Sequence, residues 1–279
     1  GEYGAIIDGG GAYARFMRAD SYVDSAPHVT LENLKITGFV QTNGSGSKGA
    51  VNFYDLDWQG GINDTNCGSH HYCTIRDCSF YGNTCGVLAG PGTSCIGCDF
   101  SYNEQEGSKA LGRNISFDRR KWSFNQGYDG GAGEQGGMKI NNAQSVSITN
   151  SYIEGNVGFG IWEDYGYDNI LIDHCTFVNN PGPGVCCEGS VSTTGAASME
   201  IRWCQFTNNN LLGSNADWPF PQVFIYNAKV NIPDNNFYGW GGYAFQEGYR
   251  IPCGGIYPHC AGSSVTNNIF TMTAGYNSY

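Results

Sequence analysis

Three segments of the chain share a spacing that could bring acidic side chains together. Each begins with glycine and has a polar residue four positions later, in GMKIN at Asn141, in GIWED at Asp164 and in GVCCE at Glu188. If the segments are neighbouring parallel strands, the Asp164 and Glu188 carboxyl groups lie about 5 Å apart, as the nucleophile and acid/base of retaining glycosidases do. The same carboxylates could instead bind Ca²⁺, or be solvated acids at an exposed strand edge.

Two further side chains fall on the same face of these strands. Side chains of a strand alternate between its faces, so Lys139 accompanies Asn141 and Trp162 accompanies Asp164. We predict that Asp164, Glu188 and Lys139 are catalytic residues and that the substrate contacts include Trp162, Asn141 and Glu163. No metal or other cofactor is required by this scheme, although Ca²⁺ at the two carboxylates is the alternative.

Such a site needs strands stacked in register, and the chain contains a repeat that supplies them. A small residue or Cys is followed two positions later by an aromatic residue or Ile, and often by Asn three positions after that. The clear copies are Cys78-Ser79-Phe80…Asn83, Cys98-Asp99-Phe100…Asn103, Ser151-Tyr152-Ile153…Asn156, Cys175-Thr176-Phe177…Asn180 and Cys204-Gln205-Phe206…Asn209. The looser copies are Leu34-Lys35-Ile36, Trp122-Ser123-Phe124, Asn235-Asn236-Phe237 and Asn268-Ile269-Phe270.

The spacing of the copies is that of a solenoid. Successive copies begin between 20 residues (Cys78 to Cys98) and 44 residues (Leu34 to Cys78) apart, and the longest step holds either two coils or one coil with a long insertion. Each copy alternates with a period of two, which predicts short strands joined by turns. The third positions should form an inward column of Phe80, Phe100, Phe124, Ile153, Phe177, Phe206, Phe237 and Phe270. The Asn residues should occupy left-handed turns and form a hydrogen-bonded ladder.

These features predict an all-β chain folded as a single-stranded right-handed parallel β-helix of about nine to ten coils. We expect one domain over residues 1–279. The segment from Gly137 to Glu188 resembles the pectate-lyase-like superfamily of such proteins, which includes lyases, hydrolases, epimerases, adhesins and spike proteins. Enzymes of this fold bind extended polysaccharide along one sheet, so the resemblance implies a polysaccharide or glycan partner.

A narrower resemblance overlaps the acidic segment. Tyr165-Gly166-Tyr167-Asp168 is similar to the catalytic segment of the alginate C5-epimerases, in which a tyrosine and an aspartate precede Pro-His. Here Asn169-Ile170 replaces Pro-His. The resemblance implies catalytic roles for Tyr165 and Asp168, with Tyr167 at the substrate, and the alternative is that these are aromatic turn residues packed on the rim.

Two other motifs bear on the same chemistry. A cation must neutralise a uronate carboxylate during elimination or epimerisation, and Arg119-Arg120-Lys121 is the only run of clustered cations in the sequence. The strand that ends in Ile172-Asp173-His174 resembles a strand of the pectate lyases. His174 precedes the inward Cys175 and should therefore face outward.

The twelve cysteines predict an oxidising compartment. Matching positions in adjacent coils suggest bridges between Cys78 and Cys98 and between Cys175 and Cys204, with four buried thiols as the alternative. Cys253 and Cys260 should close a loop near the C-terminus. The cluster of Cys67, His70, His71 and Cys73 could bind zinc, but it lacks a second pair of ligands, and we favour a disulfide-bound loop.

Composition excludes some partners and favours others. The net charge of −11 argues against nucleic acid, and no apolar run approaches the length of a membrane span. We therefore expect a secreted or cell-surface protein, processed or excised from a longer chain because no signal-like segment follows Gly1. Sequons at Asn43, Asn63 and Asn114 are predicted glycosylation sites. Surface aromatic residues suit sugars, and suit equally well the alternative of a structural or adhesive protein that associates into fibres.

Overall fold

The computed structural model describes residues 4–13, 15–18, 28–40, 49–53, 72–126, 136–164, 169–188, 199–209, 222–226, 228–239, 245–247 and 263–272. These residues contain no helix and form 26 strands. The strands are β1 (Ala5–Tyr13), β2 (Met17–Arg18), β3 (Thr30–Glu32), β4 (Leu34–Phe39), β5 (Gly49–Asn52), β6 (Thr74–Arg76), β7 (Ser79–Tyr81), β8 (Cys85–Ala89), β9 (Ser94–Ile96), β10 (Asp99–Ser101), β11 (Glu106–Asp118), β12 (Lys121–Ser123), β13 (Gly136–Thr149), β14 (Tyr152–Glu154), β15 (Ile161–Asp164), β16 (Ile170–Asp173), β17 (Thr176–Val178), β18 (Val185–Glu188), β19 (Met199–Arg202), β20 (Gln205–Thr207), β21 (Val223–Tyr226), β22 (Val230–Pro233), β23 (Asn236–Gly239), β24 (Phe245–Glu247), β25 (Ser264–Thr266) and β26 (Ile269–Met272).

The strands stack into three parallel sheets around one core. Sheet A has the order β1-β4-β7-β10-β12-β14-β17-β20-β23-β26. Sheet B has the order β2-β5-β8-β11-β13-β15-β18-β21-β24, and sheet C the order β3-β6-β9-β11-β13-β16-β19-β22-β25. The long strands β11 and β13 belong to both B and C. The ten strands of sheet A correspond to ten coils of a parallel β-helix, as predicted, and β4 pairs directly with β7, so the 44-residue step is one coil with an insertion.

An aromatic and aliphatic column fills the core behind sheet A. The rings of Phe177, Phe206 and Phe237 stack with centroids 4.7 and 4.8 Å apart. The last predicted member, Phe270, stacks on Phe237 but is 47% exposed, and the predicted column is wrong at Phe124. Trp122 is the buried member there, stacked on Phe100, because Lys121-Trp122-Ser123 is the strand that pairs with β10. Phe124 follows that strand in a left-handed conformation and is 38% exposed.

Glycines at the start of the sheet B strands allow this column to pack closely. A Cβ on Gly107 would lie 2.7 Å from Trp122 Cδ1, and one on Gly160 would collide with the Gly184 carbonyl oxygen. Gly86 and Gly137 make similar approaches, and a Cβ on Gly184 would lie 3.0 Å from Phe206 Cδ1. In these coils the backbone therefore lies so close to the core rings and to the next coil that a side chain at the glycine would collide with them.

The predicted asparagine ladder is present and fully buried between sheets A and B. In five successive steps an Asn Nδ2 donates to the Oδ1 of the Asn in the next coil, over 2.8–3.3 Å. The residues are Asn83, Asn103, Asn125, Asn156, Asn180 and Asn209. The predicted left-handed turn lies one residue earlier, at positions such as Tyr102, Phe124 and Gly155. Asn is required at the ladder positions because its side-chain amide forms hydrogen bonds with buried backbone groups such as the Phe80 carbonyl.

A second stacked corner lies between sheets C and A and contains four of the cysteines. The strand registers put Cys78 next to Cys98 and Cys175 next to Cys204 in adjacent coils, as the repeat predicts. The structure holds all four as buried thiols, with Cys204 Sγ accepting a hydrogen bond from the Cys175 amide at 3.4 Å. The two bridges therefore stay a prediction. Cys253 and Cys260, like the zinc-like ligands Cys67, His70 and His71, lie outside the described residues.

Candidate functional site

The outer face of sheet B carries the residues that the glycine-led segments single out. Asn141 pairs with Asp164, and Asp164 pairs with Glu188, so the three occupy one row across β13, β15 and β18. A second row, two residues earlier, contains Lys139 and Trp162. This is the arrangement predicted from the sequence. The strand spacing of about 4.8 Å makes Asp164 and Glu188 immediate neighbours.

Lys139 and Asp164 form an ion pair between neighbouring coils. Lys139 Nζ lies 2.9 Å from Asp164 Oδ2, and the two side chains are only 4% and 16% exposed. Asn141 Nδ2 lies 3.5 Å from the same oxygen. Because little water reaches the pair, its attraction is stronger than that of a surface ion pair, and it fixes the position of the carboxylate. The Lys139 ammonium group lies where a Ca²⁺ ion would have to bind Asp164, and this disfavours the Ca²⁺ alternative.

Trp162 covers the ammonium group. Lys139 Nζ lies 3.9 Å from the centroid of the indole ring, at cation–π distance, and the Phe159 ring packs on the indole at 5.2 Å. Trp162 is only 6% exposed, and its Nε1–H has no hydrogen-bond partner among the described residues. Its role in the structure is therefore to enclose Lys139.

The predicted role of Glu163 is wrong. Glu163 pairs with Ile140 and Cys187 in the register of the core, and it is fully buried. Side chains alternate along β15, so a strand that presents Trp162 and Asp164 outward must direct Glu163 inward. Burial raises the pKa of the Cys187 thiol well above its usual value, and the Glu163 charge adds to this rise. Glu163 cannot contact a glycan on the outer face.

A second lysine of the site was missed from the sequence. Lys109 pairs with Lys139 in the preceding coil and is also almost buried, so two cations occupy adjacent positions in the row that continues to Trp162. The signal was present, since GSK at Gly107 and GMK at Gly137 have the same spacing. Aligning one coil further would have revealed it.

The cluster Arg119-Arg120-Lys121 does not supply the predicted cation. Arg119 pairs with Asp118 at the surface, and Lys121 belongs to sheet A. Arg120 is buried in the core corner near Cys95 and Cys98, where burial lowers its pKa and its guanidinium nitrogens have no hydrogen-bond partner among the described residues. Lys139 and Lys109 are the cations that the fold brings to the outer face of sheet B.

Several predicted residues lie outside the part of the chain that the structure describes. These are Tyr165, Tyr167, Asp168, Asn43 and Asn63. Asn114 is described, and it is exposed in a left-handed conformation on β11, so its sequon stays a prediction on an accessible residue. His174 faces outward as predicted, with Nδ1 2.7 Å from Asp173 Oδ1.

Two negative observations apply to the described residues. Within these ranges no three His, Cys, Asp or Glu side chains converge as metal ligands would. The same part of the chain has no helix with the length and hydropathy that crossing a membrane requires.

Comparison with known proteins identifies the fold family. The family profile of the right-handed β-helix region matches residues 60–270. The A-module of a mannuronan C-5 epimerase from Azotobacter vinelandii is similar with a TM-score of 0.52 and 13% identity, covering 87% of this chain and 59% of that one. A pectate lyase gives a TM-score of 0.47 at 10% identity over 96% of this chain and 80% of its own.

A phage protein belongs to the same set of similar structures. Tailspike protein 2 from the Escherichia coli O157:H7 bacteriophage CAB120 has a TM-score of 0.47 and 12% identity, with 87% of this chain and 32% of that chain covered. No curated protein sequence matches the chain significantly. At these identities the likeness concerns the fold alone, and the chain spans 59% of the epimerase module.

Proposed function

Because this chain belongs to the right-handed β-helix family, we propose that it is an extracellular enzyme that binds a polysaccharide along the outer face of sheet B. One observation carries the proposal. The Lys139–Asp164 ion pair is almost closed to water, and it lies in register beside the second carboxylate, Glu188. Ionisable groups held together on one strand face and largely shielded from water are typical of acid–base sites.

The row of carboxylates supports retaining hydrolysis. Two carboxyl groups about 5 Å apart can divide the work between a nucleophile and an acid/base, whereas an inverting enzyme needs a wider gap for water. Lys139 and Asn141 orient the Asp164 carboxylate, so we assign the nucleophile to Asp164. Glu188, in the next coil, then donates a proton to the departing sugar oxygen and later accepts one from water.

Elimination and epimerisation have weaker support. Both need a base at a uronate C5 proton and a cation at the carboxylate, and of the two lysines on this face Lys139, the one beside the carboxylates, is engaged by Asp164. The similar epimerase module supports a polymer substrate through its fold alone. The residues of the epimerase-like segment, Tyr165 and Asp168, lie outside the described ranges.

The proposed extracellular location depends on the cysteines. Twelve cysteines, four of them stacked in pairs in adjacent coils, suit an oxidising compartment.

A panel of neutral and acidic polysaccharides tests the activity. New reducing ends without an unsaturated product would indicate hydrolysis, reducing ends with ultraviolet-absorbing product would indicate elimination, and altered sugar signals in NMR without cleavage would indicate epimerisation. We expect hydrolysis of at least one polymer, reduced about 100-fold or more in Asp164→Asn and in Glu188→Gln. Glu154→Gln, which changes a carboxylate on sheet A, is the matched control and should leave the rate unchanged.

The outcome that contradicts the proposal is equally clear. If the wild-type chain is inert on every polymer, or if Asp164→Asn retains full activity, the site on sheet B is not catalytic. The alternative function is then a structural or adhesive β-helix rod.

A further inference from the structure

A groove on sheet C lies apart from the site on sheet B. It has a volume of about 560 Å³ and crosses the outer face of strands β13, β16, β19 and β22. Its central row runs through Ser147, Leu171, Glu200 and Asn231, which pair in successive coils. The volume falls within the range of small-molecule sites.

Charged side chains at one end of the groove form a fixed network. Arg202, which lines the groove, places Nη1 2.8 Å from Glu200 Oε1 and Nη2 3.3 Å from Asp173 Oδ2. The other oxygen of Asp173 is 2.7 Å from His174 Nδ1. The Arg202 Nε has no hydrogen-bond partner among the described residues, although it is buried. These groups present planar donors and acceptors whose positions are set before any ligand arrives.

Trp203 continues this network at the corner beyond the groove. The Arg202 guanidinium carbon lies 4.8 Å from the Trp203 ring centroid, and the His174 ring lies 5.0 Å away. Trp203 is nevertheless 51% exposed. A large aromatic ring is thus held beside hydrogen-bonding groups with half of its surface open to solvent, as in sites that take one apolar face and one polar edge of a ligand.

The backbone at Trp203 is left-handed, a conformation that costs more for an aromatic residue than for Asn. Trp203 has a φ of 50°. The corner between sheets C and A requires this left-handed conformation in every described coil, and the other coils use Asn33, Asp77, Gly97, Arg119, Asn150, His174, Asp234 and Asn267. Asn, Asp, Gly and His adopt this conformation most readily, and a bulky aromatic residue costs more there, as Tyr102 and Phe124 do at the corner between sheets A and B. Asn at position 203 would therefore relieve a cost that the indole imposes on this corner.

We propose that the groove on sheet C with Trp203 is a second glycan-binding site, which takes an uncharged oligosaccharide. The C–H face of a sugar ring packs on the indole, and vicinal hydroxyl groups bind the Glu200 carboxylate and the Arg202 guanidinium. Asp173 and Glu200 give the network one more negative than positive charge when His174 is neutral, so a uronate is repelled. The site does not depend on the chemistry proposed for sheet B.

The test uses binding and stability together, on the full chain. The probes are the uncharged hexasaccharides of β-1,4-glucose, β-1,3-glucose, α-1,4-glucose and β-1,4-mannose, with hexagalacturonate as the charged comparator. Binding is measured by calorimetry and by the indole N–H signals in NMR, among which Trp203 is assigned from its loss in Trp203→Asn. We expect one uncharged hexasaccharide to shift the Trp203 signal and to bind at least tenfold more tightly than hexagalacturonate.

Two variants and two controls decide the outcome. Trp203→Asn should weaken binding at least tenfold and yet raise the melting temperature by about 2 °C or more, because Asn relaxes the left-handed corner. Glu200→Gln should also weaken binding. Arg119→Asn, at the same corner position in another coil, should not alter binding, and Asp164→Asn should leave the ligand-induced shift of the Trp203 signal unchanged.

Contrary results are specific to this proposal. It is overturned if no uncharged hexasaccharide binds, or if Trp203→Asn binds as the wild type does. Binding that Asp164→Asn abolishes and Trp203→Asn leaves intact would support the site on sheet B and overturn the one on sheet C. Activity at sheet B can fail without affecting the result, since binding here is measured without turnover.

Discussion

Lys139 Nζ lies 2.9 Å from Asp164 Oδ2, across the boundary between two coils of the β-helix. The pair exists because β13 and β15 are in register, with Lys139 opposite Trp162 and Asn141 opposite Asp164. The contact is thus diagonal, between two rows of side chains on one face. A one-residue slip of either strand would direct that strand's own member of the ion pair into the core.

The ion pair predicts a non-additive loss of stability. Lys139→Met leaves a mostly buried carboxylate without its cation and should lower the free energy of unfolding by about 2–3 kcal/mol. Lys139→Met combined with Asp164→Asn should recover part of that loss, because no buried charge remains. Urea denaturation of the two single variants and the double variant measures the coupling. Lys121→Met, an exposed lysine on sheet A, is the control, and additive effects of the two changes would contradict the account.

The close contacts of the glycine row predict that even the methyl group of alanine is too large at these positions. Gly160→Ala adds a Cβ that collides with the Gly184 carbonyl oxygen and lies 3.1 Å from Ile153 Cγ2. We expect a loss of about 3 kcal/mol, measured by denaturant unfolding. Gly4→Ala is the matched control, since its Cβ would meet the nearest atom only at 3.4 Å, and it should change stability by less than about 0.5 kcal/mol. Equal effects of the two changes would mean that close packing behind sheet A is not required.

The stacked cysteines predict two bridges in protein folded under oxidising conditions. Cys78 with Cys98, and Cys175 with Cys204, should be recovered as linked peptides after alkylation under denaturing conditions. Each bridge should stabilise the fold by roughly 3 kcal/mol for loops of this length. Burial raises the pKa of Cys95 to about 12, and this core residue should remain a thiol. If all four corner cysteines are alkylated as free thiols, the bridges do not form and the corner is held by packing and by S–H contacts alone.

Asp118 predicts a modest dependence of stability on pH. Hydrogen bonds from Asn150, Thr149 and Arg119 lower its pKa, and the Asn150 bond has the largest effect. A carboxyl group with a lowered pKa stabilises the fold above its unfolded pKa, near 4, and loses this contribution as the pH falls through its folded pKa. The side chain is about one-third exposed, so the contribution should stay below about 1 kcal/mol.

Asp118→Asn checks this effect. The variant should be less stable than the wild type at pH 6, and the difference should shrink at pH 3. Denaturant unfolding at the two pH values measures it. A difference that does not change between them would contradict the role assigned to the Asp118 charge.

The sequence predicted the scaffold well because its columns repeat. Phe177, Phe206 and Asn180 recur at matching places, so a single alignment gives strand register and core at once. The failures occur where two alignments compete. Trp122 and Phe124 are both aromatic and two residues apart, and only the position of Asn125 in the ladder decides that Trp122 belongs to the core.

The site was predictable only in part. Asp164, Glu188 and Lys139 were found because they follow the glycine row, and strict alternation along β15 would have removed Glu163. No sequence motif marked Trp203 as a possible ligand contact. Its exposure and its left-handed backbone arise from its position at the coil corner. Where an aromatic residue interrupts a column of mostly polar turn residues, the sequence pattern does not distinguish a packing role from a binding role.

The central claim is that a glycan is processed on the outer face of sheet B by Asp164 and Glu188. The most direct measurement is a crystal structure of Glu188→Gln soaked with an oligosaccharide of whichever polymer the wild type cleaves. The account predicts a sugar ring with its reactive carbon within about 3.5 Å of an Asp164 oxygen and its glycosidic oxygen towards residue 188. Clear density for the sugar on another face, with Asp164 still bound only to Lys139 and Asn141, would contradict it.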